Sequence, residues 1–197
     1  MHVLVVNSSG RTALSVSRQL VAELVTELVA QQPASRITYR DVAAGLPFVD
    51  EVMISGLYIA PDEQTAEQRQ ALRLSDQLVA EVQAADVLVI GVPIYNFSIP
   101  AALKAWIDQI VRAGLTFAFL ESGYAGLLHG KKVYLVVASG AVEVGSSLDF
   151  ATPYLQGLLA FIGLTDVEVI SAAQLSLLGE QPIGAAREAI RQVHSVA

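Results

Sequence analysis

Cysteine is missing from all 197 residues, so disulfides, thiol nucleophiles and thiolate metal sites are excluded. Charge is scarce as well. Only 16% of residues are charged, and 12 Lys and Arg stand against 19 Asp and Glu, for a net charge of −7. That balance suits neither nucleic acid nor an anionic membrane surface as a partner. The histidines, His2, His129 and His194, lie far apart along the chain. Each is expected to be a surface residue rather than a ligand or base. No apolar run approaches the roughly 20 residues that cross a bilayer. Met1 to Asn7 lacks the basic region of a signal peptide and reads as a first strand. A cytoplasmic protein without metal, membrane or nucleic-acid partner is expected. The GxxxxGK[ST] pattern is absent and Gly10 stands alone, which argues against a nucleoside triphosphatase and a dinucleotide-binding turn. Repeats, linkers and low-complexity tracts are lacking too. Hydrophobic residues are plentiful, at 53%. Such a composition suggests surface buried in an oligomer, and the length suggests one domain over residues 1–197.

Strands and helices alternate along the chain. Val3 to Val6, Arg36 to Tyr39, Val87 to Val92, Lys132 to Ala138 and Val167 to Ala172 read as five strands. Ser15 to Ala30 carries apolar residues at helical spacing, with Ser15 placed to cap its start. Thr65 to Ala84, Ala101 to Ala113 (closed by Gly114), Asp149 to Ile162 and Pro182 to Val196 are the other expected helices. Residues 43–63 form a Gly- and Pro-containing excursion with some helix, and residues 115–130 a loop or hairpin. This pattern implies a three-layer α/β sandwich around a five-stranded parallel sheet, doubly wound in the order 2-1-3-4-5.

In such a sheet, ligands bind beyond the carboxyl ends of the strands. Three loops emerge there. The first carries Ser8, Ser9, Ser15 and Ser17 at a helix start, where unpaired N–H groups and hydroxyls suit a phosphate. Arg11 and Arg18 are candidates to add charge. The second, Pro93-Ile94-Tyr95-Asn96-Phe97-Ser98-Ile99-Pro100, offers π surface and an amide side chain. The third, Ser139-Gly140-Ala141-Val142, offers backbone N–H groups and close approach at Gly140. Each also has a plain structural reading: a helix cap, rings packed in the core, a tight connection. Together they match the phosphate and the heteroaromatic ring of a flavin mononucleotide.

The same residues carry a family likeness. Ser8-Ser9, Ser15-Val16-Ser17-Arg18-Gln19-Leu20, Leu74-Ser75-Asp76, Pro93-Ile94-Tyr95-Asn96-Phe97 and Leu103-Lys104 are among the matching pieces. So are Arg112-Ala113-Gly114-Leu115-Thr116-Phe117, Gly130-Lys131-Lys132, Thr152-Pro153-Tyr154-Leu155 and Phe161-Ile162-Gly163. Through them the chain resembles the FMN-dependent NADH-azoreductases, which are flavodoxin-like quinone reductases. The resemblance implies tightly bound FMN, held by Ser9, Ser15, Val16 and Ser17, by Pro93, Ile94, Tyr95, Asn96 and Phe97, and by Ser139, Gly140, Ala141 and Val142. It implies NADH or NADPH as electron donor and a quinone or azo compound as acceptor, in ping-pong two-electron transfer. It also implies a homodimer with FMN near the interface, one protomer's aromatics covering the other's flavin. Phe97, Phe117, Phe119 and Phe161 are then the substrate-binding candidates. No side chain is expected to be catalytic, because the flavin N5 takes the hydride.

One departure stands out. The family shows Ser-Arg-Gly-Gly where this chain has Ser139-Gly140-Ala141-Val142. Ala and Val tolerate positive φ poorly, so contacts made by the loop's N–H groups survive only if its path avoids that region. A flavodoxin-type electron carrier without a substrate of its own is the rival from another class. A flavin-free interaction protein that keeps only the fold is the second.

Overall fold

The computed structural model describes residues 1–193; His194 and the end of the last expected helix, to Val196, lie outside the described residues. The strands are β1 (His2–Asn7), β2 (Arg36–Asp41), β3 (Val87–Pro93), β4 (Phe117–Leu120), β5 (Gly123–Gly126), β6 (Lys132–Ala138) and β7 (Asp166–Ala172). The helices are α1 (Val16–Gln31), α2 (Glu51–Leu57), α3 (Ala66–Ala84), α4 (Ala101–Ile110), α5 (Thr152–Phe161), α6 (Leu175–Leu178) and α7 (Gln181–Arg191). The main sheet has the order β2-β1-β3-β6-β7, all parallel. Counting its strands alone, this is the expected 2-1-3-4-5.

Alternation along the strands divides the core. Val3 and Val5 of β1 face Leu20, Leu24 and Leu28 of α1 and Ile190 of α7. Leu4 and Val6 face the other layer, with Leu78 and Val82 of α3, Trp106 of α4 and Leu155 and Leu159 of α5. Strand β3 is central and buried at every position, which is why its sequence is an unbroken apolar run rather than an alternating one.

Several boundaries differ from expectation. Helix α4 stops at Ile110, not Ala113. Arg112 is tied to Ser75 and Asp76 of α3, and its carbonyl accepts from Leu115 and Thr116 in a turn that Gly114 completes at φ 77°. Helix α5 starts at Thr152, because the Asp149 carboxylate accepts from the N–H groups of Gly145, Ala151 and Thr152 and so belongs to the preceding turn. Residues 115–130 contain the antiparallel hairpin β4–β5. The hairpin sits directly on the end of α5: a Cβ at Gly126 would lie 2.1 Å from the Gly163 nitrogen. Helix α6 was not expected at all.

Candidate functional site

The turns after β1, β3 and β6 meet in one cleft of about 350 Å³ at the carboxyl edge of the sheet. It lies over the crevice between β1 and β3, where the strand order reverses. Its walls include Ser9, Ser15, Val16, Ser17, Pro93, Ile94, Tyr95, Ser139 and Gly140, nine residues named from the sequence.

The first wall is the start of α1. Ser15 caps the helix by accepting from the Arg18 N–H at 3.4 Å. Its hydroxyl also lies 3.3 Å from that of Ser17. Both serines are buried, at 8% and 1% exposure. Helix geometry leaves the Val16 and Ser17 N–H groups without intrahelical acceptors. Hydroxyls, free amides and the positive end of α1 therefore converge, which is the donor set an anion requires. Arg18 is not free to join it. Its guanidinium donates to the Ser9 carbonyl at 2.8 and 3.2 Å and to both Asp41 carboxylate oxygens at 2.7 and 2.9 Å. Asp41 is held below its ordinary pKa chiefly by that bond. The pair braces the serine loop from behind. Arg11, exposed at the rim, lines the cleft with its guanidinium unpaired among the described residues.

The second wall is the turn after β3. Tyr95 and Ser98 exchange backbone hydrogen bonds at 2.9 and 3.1 Å, closing a tight turn over Asn96 and Phe97. Both middle residues take left-handed φ, 48° and 71°. Asn tolerates this conformation; Phe does so at a cost. The strain leaves the Asn96 and Phe97 N–H groups without acceptors among the described residues. The Tyr95 hydroxyl lies 3.3 Å from that of Ser9, joining the second wall to the first. Asn96 and Phe97 stand just past the cleft lining rather than in it, with Phe97 half exposed.

The third wall is the turn after β6. No residue from Ser139 to Val142 has positive φ, so Ala and Val fit without strain. Gly140 lines the cleft, whereas the Val142 side chain is buried in the core and Ala141 lies outside the lining. The N–H groups of Gly140, Ala141 and Val142 find no acceptor among the described residues.

The aromatic candidates gather elsewhere. Phe117 and Phe161 have ring centroids 4.8 Å apart, Phe117 and Phe119 5.3 Å, and Tyr124 and Phe161 4.5 Å. Phe117 and Phe119, with Tyr58, Ile59 and Leu115, border a separate hollow of about 540 Å³. Within one chain this cluster does not reach the serine cleft. Sequence reasoning missed Leu175 and Ser176, which form a further wall. The apolar run Leu175 to Leu178 before Gly179 was their only trace.

His2 bonds to the Ala84 carbonyl and the Thr38 hydroxyl, both at 2.9 Å, and does structural work at the opposite edge. Among the described residues no group of three or more His, Cys, Asp or Glu is placed to hold a metal ion. No described helix is long and apolar enough to cross a membrane.

This doubly wound sheet, with its ligand cleft at the switch point, defines a class. The chain belongs to the flavodoxin-like fold family, whose profile matches residues 1–196. Within it, the chain is similar to FMN-dependent NADH:quinone oxidoreductases. The protein of that name from Thiobacillus denitrificans is 49% identical over 193 residues, covering 98% of this chain and 94% of the relative. FMN-dependent NADH:quinone oxidoreductase 1 of Jannaschia sp. is 47% identical over 196 residues, covering 100% and 98%. Among solved structures, the azoreductase AzrA superposes with a TM-score of 0.90 at 28% identity, covering 98% of each chain.

Proposed function

We propose that this protein is an FMN-dependent NADH:quinone oxidoreductase that also reduces aromatic azo compounds. The observation that carries the reading is the convergence of three donor-presenting turns in one cleft of about 350 Å³. That volume lies within the ordinary range for small-molecule sites. Relatives at 47–49% identity carry this activity in their names.

The residues fit the cofactor part by part. The buried Ser15 and Ser17 hydroxyls and the first N–H groups of α1 hold the phosphate. Pro93, Ile94 and Tyr95 pack against the ring system. The unpaired N–H groups of Asn96, Phe97 and Gly140 donate to its polar edge, where preorganised donors favour added electron density. Bound there, FMN supplies hydride acceptance from NADH and two-electron delivery to a quinone or azo acceptor. Donor and acceptor would enter the same cleft in turn, which would make the kinetics ping-pong.

The working unit is a homodimer acting in the cytoplasm. Large apolar side chains stand in solvent on the single chain: Leu14 at 94% exposure, Tyr58 at 87%, Phe48 at 78% and Phe119 at 77%. These exposed side chains support the dimer reading, as groups an interface would cover. In the dimer, the Phe117–Phe119–Phe161 cluster of one protomer closes the acceptor site over the cleft of its partner.

The test is direct. FMN-loaded protein should oxidise NADH with menadione without any partner reductase, giving parallel double-reciprocal lines. An electron carrier would show almost no turnover. A colourless protein that develops no flavin absorbance with added FMN would refute the reading altogether.

A further inference from the structure

Strand β7 ends at Ala172, and Gln174 then turns the chain with left-handed backbone, φ 60° and ψ 32°. This turn sets three successive N–H groups against the loop after β6. Gln174 donates to the Ser139 hydroxyl at 3.1 Å. Leu175 donates to the Ser139 carbonyl at 3.1 Å, and Ser176 to the Gly140 carbonyl at 2.8 Å. The Ser139 hydroxyl in turn donates to the Val142 carbonyl, and the Ser139 N–H donates to Ala172. The loop's acceptors at Ser139, Gly140 and Val142 are therefore consumed inside the protein. Three of its donors are not: the N–H groups of Gly140, Ala141 and Val142 find no acceptor among the described residues. The two segments are also in steric register, since a Cβ at Gly140 would come within 3.1 Å of the Ser176 hydroxyl oxygen.

We infer that the Gln174–Ser176 turn is a flavin-positioning element, which holds the Ser139 hydroxyl and the Ser139 and Gly140 carbonyls and leaves the N–H groups of Gly140, Ala141 and Val142 to the cofactor. It shapes, by hydrogen bonding from a neighbouring segment, a loop in which no residue from Ser139 to Val142 has positive φ. The inference rests on the flavin reading of the cleft. Donors held at the ring's polar edge bind the electron-rich reduced flavin more tightly than the oxidised form. The turn therefore raises the midpoint potential of the bound cofactor, acting through Ser139 and Gly140 rather than by touching the reacting atoms.

The experiment is a redox titration of FMN-loaded Ser139→Ala beside the wild-type holoprotein, with FMN affinity and apoprotein melting measured in parallel. The variant loses the link between Gln174 and Val142. Reduced FMN should lose threefold to tenfold more affinity than oxidised FMN, a potential drop of about 14–30 mV by the two-electron conversion. Gly140→Ala should lower the potential in the same direction by crowding Ser176, and Gly140→Ala with Ser176→Ala should restore it. This second set of variants decides the matter if Ser139→Ala does not fold. A lower melting temperature with unchanged potential in these variants would overturn the inference and leave the flavin site standing. Failure of the wild-type protein to bind FMN would overturn both.

Discussion

Ser17→Ala isolates the phosphate end of the cleft. In the folded protein the Ser17 side chain is 1% exposed, and its hydroxyl has a single partner, the Ser15 hydroxyl at 3.3 Å. Losing that long contact should change the stability of the apoprotein by less than about 1 kcal/mol. In the proposed FMN complex the same hydroxyl would donate to the phosphate, and a hydrogen bond to a charged group contributes about 1.5–3 kcal/mol. At about 1.4 kcal/mol per tenfold, the FMN dissociation constant should rise about 10- to 100-fold. The assay is fluorescence titration of apoprotein with FMN and, in parallel, with riboflavin, which lacks the phosphate. Riboflavin affinity should stay within about twofold of wild type, because the ring-binding turns after β3 and β6 are untouched. Ser15→Ala provides the contrast. It should weaken FMN similarly but also cost about 0.5–1 kcal/mol of apoprotein stability, since Ser15 caps α1, and the long 3.4 Å bond places that cost at the low end for caps. Equal losses for FMN and riboflavin in Ser17→Ala would refute the reasoning, because the hydroxyl would then be shaping the cleft rather than holding a phosphate.

Three further outcomes are expected. Gly163→Ala places a side chain at φ 97° and a Cβ 2.9 Å from the Leu128 nitrogen, so it should destabilise the protein by about 1–3 kcal/mol in urea titrations and loosen the β4–β5 hairpin against α5. Phe119→Ala should leave stability within about 0.5 kcal/mol, since the ring is 77% exposed. That figure applies to the separated protomer; in the proposed dimer the substitution should raise the quinone KM, and steady-state kinetics would check this. The Asp41 carboxyl is held below its ordinary value by Arg18, so its stabilising contribution is full above the unfolded-state value of about 3.9 and is lost as pH falls through the folded one. Acid titration of the holoprotein should release FMN more steeply than in Asp41→Asn, where that pH-dependent increment is missing. Identical acid profiles for the two proteins would contradict the brace that Arg18 forms between Asp41 and Ser9.

The fold was readable because its signals are local and repeated. The central strands β1, β3 and β6 are aliphatic runs, the edge strands β2 and β7 mix apolar with polar residues, and each long helix carries apolar residues at helical spacing. The turns after β1, β3 and β6 were readable as candidates only together, since each alone has a plain structural reading and their shared sheet edge is what points to a ligand. The helix ends were less legible. Nothing near Ile110 in the chain announces that Arg112 will be drawn to Ser75 and Asp76, and nothing near Asp149 shows whether its carboxylate will begin a helix or close the turn before one.

Local sequence therefore determined the layers, the strand order and the donor chemistry at one sheet edge, because periodicity and helix-start chemistry act over a few residues. Tertiary structure alone decided which donors remain available. Arg18 is spent on Asp41, 23 positions away, and not on a phosphate. The turn at Gln174–Ser176 takes up the Ser139 hydroxyl and the Ser139 and Gly140 carbonyls, while the N–H groups of Gly140, Ala141 and Val142 find no acceptor among the described residues. The hairpin aromatics point away from their own chain's cleft for the same reason: contacts between distant segments set the final pairing of each polar group and ring, and no stretch of chain specifies that by itself.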